Sequence, residues 1–131
     1  KYPEAVVIAA DCMIVLEGTV YEKPRTEEEA KMMLASYGGK VVEIVTGLAV
    51  QQKSRGTLLS DTVVGSAKFR KLQDYEIDHY VSTSPVLKCS GAINGTGLWR
   101  FSEHVEGSMD FQRAMPTALI VEYLRKFGVH V

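Results

Sequence analysis

The chain has 131 residues, 46% of them hydrophobic and 24% charged, a balance that supports one compact domain and argues against disorder. Fifteen basic and sixteen acidic residues leave a formal net charge of -1, so a polyanionic ligand must be held by local groups rather than by a general pull toward nucleic acid polymer or membrane. No apolar run has the length of a membrane span, no signal-peptide layout opens the chain, and Cys12 and Cys89 lack metal-type spacing; the expectation is a cytoplasmic protein with buried free thiols.

Lys1-Tyr2-Pro3-Glu4 leads directly into Ala5-Val6-Val7-Ile8-Ala9-Ala10, a continuous apolar run that reads as a strand covered on both faces, with Asp11 at its carboxyl end. Such a strand needs neighbours on both sides, and its abrupt start reads as part of a larger fold. Residues 13–16 and 19–22 flank Glu17-Gly18, a two-residue connection with glycine where positive φ is tolerated, and so predict a hairpin. The hairpin turns Lys23 back toward Asp11. A carboxylate facing an ammonium there can hold a metal ion and a phosphate, or can be a solvated salt bridge at a sheet margin; spacing alone leaves both open.

Thr26, with Glu29 three residues on, predicts a capping box, and Glu27 and Glu28 suit the positive end of the helix dipole. Ala30, Met33, Leu34 and Tyr37 form one apolar stripe, and Gly38-Gly39 supplies the stop. Residues 40–53 and 57–70 are β-prone and are joined by Ser54-Arg55-Gly56, which predicts two long antiparallel strands. Gly47 inside the first suggests a bulge or a close backbone approach. Asp61 lies mid-strand and is read as structural.

Asp74 reads as the cap of a short helix with Ile77, Tyr80 and Val81 inward and a solvated acidic face of Glu76 and Asp78. The segment Lys88-Cys89-Ser90-Gly91-Ala92-Ile93-Asn94-Gly95-Thr96-Gly97 has the composition of a loop whose N–H groups surround an anion or a base; a mobile surface loop is the alternative. Residues 98–104 read as a strand with Trp99 and Phe101 on one face, Trp99 in the core, and Glu106-Gly107-Ser108 as its turn. Pro116 opens a last helix with Leu119, Ile120, Tyr123, Leu124 and Phe127 buried and Gly128 as its stop. The order of elements indicates an α/β fold, a sheet with helices against it.

Taken in order, Ala10-Asp11, Lys23-Pro24, Thr26-Glu27-Glu28-Glu29-Ala30, Leu34, Gly39-Lys40 and Val45-Thr46-Gly47 resemble the Maf family of nucleoside triphosphate pyrophosphatases. The likeness continues through Phe69, Leu72, Tyr80-Val81, Lys88-Cys89-Ser90-Gly91, Ile93-Asn94-Gly95 and Met115-Pro116. It implies a mixed, elongated and bent β-sheet flanked by helices around a nucleotide cleft. Residues 1–131 would be a single Maf-like domain matching the carboxyl-terminal two-thirds of the family fold. The implied reaction hydrolyses a nucleoside triphosphate to the monophosphate and pyrophosphate with a divalent cation, Mg²⁺ or Mn²⁺. Asp11 would ligate that cation or take the proton from water, Lys23 would hold the phosphate chain, and Lys88 and Asn94 would lie beside the nucleotide. Family members are commonly homodimers. The sequence departs from the family in three places: no Ser- and Arg-rich phosphate loop, Cys12 for the usual Thr, and Asn94 for the usual Gln. The first two of these keep a second expectation in place, a catalytically silent nucleotide-binding or dimerisation module.

Overall fold

The computed structural model describes residues 1–107, 110 and 115–131. In chain order the elements are β1 (Val6–Leu16), β2 (Thr19–Tyr21), α1 (Glu27–Tyr37), β3 (Val41–Gln52), β4 (Thr57–Phe69), α2 (Asp74–Thr83), α3 (Gly95–Phe101), β5 (Ser102–Glu106) and α4 (Thr117–Lys126). The strands form one sheet in the order β2-β1-β3-β4-β5, and each described pairing is antiparallel. The result is the α/β arrangement of sheet and helices that the element order indicated.

The helices lie on one face of the sheet. Ile14, Leu16, Val42, Ile44, Ala67 and Phe69 meet α1, α2 and α3 in a larger core, whereas Leu48 and Val50 meet α4 through Ile120, Tyr123 and Phe127 in a smaller one. Thr46, fully buried, sits on β3 between Ile44 of the first cluster and Leu48 of the second. The opposite face is open: Val7, Met13, Val41, Leu58 and Val64 are exposed there among the described residues.

That one-sided packing corrects the reading of the first strand. β1 runs unbroken from Val6 to Leu16 with alternating burial, so Asp11 lies mid-strand rather than at a strand end. An acid on the open face interrupts neither the ladder nor the core, since successive side chains point to opposite faces. The hairpin is as expected: Glu17 (φ 50) and Gly18 (φ 80) both take the left-handed values that a two-residue turn of this hand needs, and Lys40 pairs with Glu17 at 3.1 Å. Gly47 sits in an unbroken register between Asp11 and Thr62, and a Cβ there would meet nothing within 4 Å. It makes no bulge; the irregularity falls between Lys68 and Phe69.

Thr26 caps α1 through the Glu29 N–H at 3.1 Å, but Glu29 reaches back to the Arg25 N–H at 2.7 Å instead of closing the box on Thr26. Ala30, Leu34 and Tyr37 are buried as the stripe predicts, and truncating Leu34 to Ala would cost about 2–5 kcal/mol. At α2 the cap is Gln73, not Asp74, with Gln73 and Glu76 forming the reciprocal box. Glu76 is also not solvated: its carboxylate is bound by Arg70 at 2.6 Å, while Asp78 pairs with Lys31 at 2.6 Å.

The largest correction lies at residues 95–101, which are helical. The Asn94 side-chain Oδ1 accepts from the Gly97 N–H at 2.9 Å and caps α3, so the strand β5 begins only at Ser102. Helical geometry separates the two aromatics that a strand would have put on one face. Phe101 is buried and Trp99 is 48% exposed, so Trp99 is not a core residue. Ser108 of the expected turn lies outside the described residues. The terminal helix buries Ile120 and Tyr123 as expected, with Phe127 buried beyond its end, and stops at Gly128 (φ 79).

Candidate functional site

The hairpin geometry brings an acid and a base to one recess. Because β2 pairs only with Ile14, Val15 and Leu16, the chain leaves Tyr21 alongside the unpaired stretch of β1 that holds Asp11. Asp11, Cys12 and Met13 form one wall, Val20, Tyr21, Glu22 and Lys23 another, and Ser90 the third, around a volume of about 360 Å³. A second, shallower concavity of about 600 Å³ opens over the middle of the sheet, where Asp11, Gly47 and Thr62 share a rung with Ala9, Ala49 and Ser60 beside it. Asp11 borders both. The missing side chain at Gly47 is what leaves the second one open.

Asp11 is exposed, and its Oδ1 accepts the Cys12 N–H at 2.8 Å. That bond fixes the carboxylate at the strand's free edge, where a backbone N–H would otherwise have no partner. Burial raises the Cys12 thiol above its usual value, the neighbouring Thr46 hydroxyl opposes the rise and the Asp11 charge adds to it. The Cys89 thiol is likewise raised by burial, with the Lys23 ammonium working against it. Both thiols are half-buried and free, and neither has the lowered pKa of a nucleophile. Lys23 thus lies within electrostatic reach of Cys89 as well as lining the recess.

The four residues singled out in the sequence are placed differently. Asp11 and Lys23 both line the recess. Lys88 is exposed at the end of a short 3₁₀ turn, Val86–Lys88, and is not among the lining residues. Asn94 is not among the lining residues either; its Oδ1 accepts from both Gly97 and the Tyr80 hydroxyl, each at 2.9 Å, and its backbone N–H donates to that same hydroxyl at 3.1 Å. Sequence reasoning missed Glu22 and Ser90 as wall residues. Glu22 was in view as the last residue of the hairpin, and Ser90 as one hydroxyl in a glycine-rich segment, but neither position reveals which way it faces.

A divalent cation fits the donors present. Among the described residues no group of three or more His, Cys, Asp or Glu side chains could enclose a metal ion. Asp11 and Glu22, two residues with hard carboxylate donors, nevertheless both line one recess. Mg²⁺ is characteristically held by one or two carboxylates together with substrate phosphates and water, not by an all-protein cage.

A sheet with helices on one face agrees with the relationship found by comparison. Residues 1–127 match the family model described as Maf-like protein, and the chain belongs to that family. It is 38% identical over 130 residues to a protein of Anaeromyxobacter dehalogenans (strain 2CP-C) named dTTP/UTP pyrophosphatase. That alignment takes in 96% of this chain but 66% of the relative, so the chain spans just under two thirds of the relative's length. None of the described helices is long and apolar enough to cross a membrane.

Proposed function

We propose that the protein carrying this chain hydrolyses nucleoside triphosphates between the α and β phosphates, releasing the monophosphate and pyrophosphate. The observation that carries the reading is the meeting of Asp11 and Lys23 in one recess, in a chain of this family. The name of the 38% identical relative points to dTTP and UTP as the substrates to try first.

Lys23 serves as a compact point charge for the phosphate chain, the role that an ammonium on a flexible stem fills best. Its exposed position leaves it accessible. Asp11, with Glu22 nearby, offers the carboxylate oxygens for Mg²⁺ or Mn²⁺, and that cation when bound supplies neutralisation of phosphate oxygens and a place for water. Asp11 is also the group on hand to take the proton from the attacking water. Ser90 can donate its hydroxyl to a phosphate oxygen. With a net charge of -1 the attraction is local, which suits a free nucleotide rather than a nucleic acid polymer. A cytoplasmic homodimer completes this reading.

The test is a panel of nucleoside triphosphates assayed for pyrophosphate release with Mg²⁺, with Mn²⁺ and with chelator. Release of pyrophosphate from UTP or dTTP that stops on chelation is expected. Nucleotide binding without release from any triphosphate would instead identify a silent binding module.

A further inference from the structure

The turn that carries Ser90 is held from beneath by a side chain with no part in the scheme above. Tyr37, at the end of α1, is fully buried, and its hydroxyl donates to the Gly91 carbonyl at 2.7 Å. Gly91 in turn donates its N–H to the Glu22 carbonyl at 2.9 Å, directly before Lys23. The packing leaves no slack: a Cβ at Gly91 would lie 2.6 Å from the Tyr37 hydroxyl and 2.7 Å from Ile14 Cβ. One hydroxyl thus sits behind both walls that face Asp11.

The backbone of the turn is strained as well as packed. Gly91 (φ 62) and Ala92 (φ 58) are consecutive left-handed residues, and Ala92 is not a glycine. A non-glycine residue keeps that conformation only where its surroundings over-determine it, and such residues concentrate at ligand clamps. Ala92 is fully buried and donates its N–H to the Cys89 carbonyl at 3.1 Å. A residue needed at position 37 only for packing would need only its ring. The edge-on contacts of Tyr37 with Tyr21 (5.5 Å) and Phe69 (5.4 Å) would be met equally by phenylalanine. What phenylalanine lacks is the bond to Gly91.

We propose that Tyr37 is a positioning residue for the triphosphate. Through Gly91 its hydroxyl fixes Ser90 on one side and the Glu22-Lys23 backbone on the other, so that both face the recess of Asp11. The inference rests on the pyrophosphatase reading and deepens it by naming what aligns the phosphate-binding groups. Asp11 itself is anchored independently by its pairing with Gly47 of β3. Loss of the hydroxyl therefore weakens binding more than it slows chemistry.

The experiment is Tyr37→Phe in the full protein that carries this chain, assayed with UTP and Mg²⁺. Hydrogen exchange is followed over residues 88–94 with and without a UTP analogue that cannot be cleaved between its α and β phosphates. The KM is expected to rise about five- to tenfold with kcat within about twofold, the size of one lost hydrogen bond. Exchange over that segment should quicken in the variant, and in the unsubstituted protein the analogue should slow it. Should Tyr37→Phe alone fail to fold, Ala92→Gly is added to relieve the left-handed alanine, and the KM should still be raised because the hydroxyl is still absent. An unmoved KM in a folded, active variant overturns the proposal, as does turnover by the unsubstituted protein with no protection of the segment by the analogue. Absence of turnover in the unsubstituted protein contradicts the pyrophosphatase reading itself and takes the role of Tyr37 with it.

Discussion

Arg70 grips Glu76 through two parallel hydrogen bonds, Nη1 to Oε2 at 2.8 Å and Nη2 to Oε1 at 2.6 Å. The Glu76 Oε2 also accepts the Gln73 N–H at 3.0 Å, so this one carboxylate ties the exit of β4 to the start of α2. The Arg70 bonds first, and then the Gln73 N–H, bring the Glu76 carboxyl from the ordinary 4.5 down to about 2. Because the folded value lies below the unfolded one, the stabilisation is fully present above about pH 4.5 and is lost as pH falls toward 2. Glu76→Gln should therefore lower the melting temperature at neutral pH by a few degrees, and the gap should close near the acid end of that window. Thermal melts of both proteins across the window check this; a constant gap would show that shape, not charge, is what Glu76 contributes.

Asn94 is predicted to matter first for stability. Asn94→Ala removes the cap of α3 and leaves the nearly buried Tyr80 hydroxyl without its acceptor. The loss should be about 2 kcal/mol by denaturant unfolding, the sum of a typical cap and part of an unsatisfied hydroxyl. A raised KM with unchanged stability would instead give Asn94 the nucleotide contact that the family resemblance implies.

Lys23 should behave in the opposite way. It is exposed and has little packing to lose, so Lys23→Ala should leave the melting temperature within about a degree while raising the KM for triphosphate roughly tenfold or more. Unchanged kinetics with a lowered melting temperature would make Lys23 a structural partner of the hairpin only.

Much of this was legible where local chemistry decides structure. Glu17-Gly18 announces its turn, Thr26 its helix, and the apolar stripe of α1 its core face. The readings failed where a side chain served something distant. Residues 95–97 were read as part of a glycine-rich loop, whereas Asn94 caps a helix there too short to show an amphipathic period. That mistake turned Trp99 inward. Asp11 was seen as chemistry-bearing but misplaced at a strand end, because a continuous apolar run does not reveal that one face of its sheet is open. Glu76 looked like a solvated surface acid since nothing local marks Arg70 as its partner. The bond from Tyr37 to Gly91 spans 54 residues, and no local pattern announces it.

Asp11 is the residue on which the proposed reaction most depends. Asp11→Asn keeps the shape of the side chain and leaves its Oδ1 able to accept the Cys12 N–H, but it removes the charge that would bind a cation or take a proton from water. The decisive measurement is pyrophosphate release from UTP with Mg²⁺ by the full protein and by this variant, alongside the melting temperature of each without metal. The account predicts turnover lower by roughly a hundredfold or more and a melting temperature equal to or slightly above the original, as when a charge kept for function is neutralised. Turnover close to that of the unsubstituted protein would remove Asp11 from the mechanism, and collapse of the fold would make it a structural carboxylate.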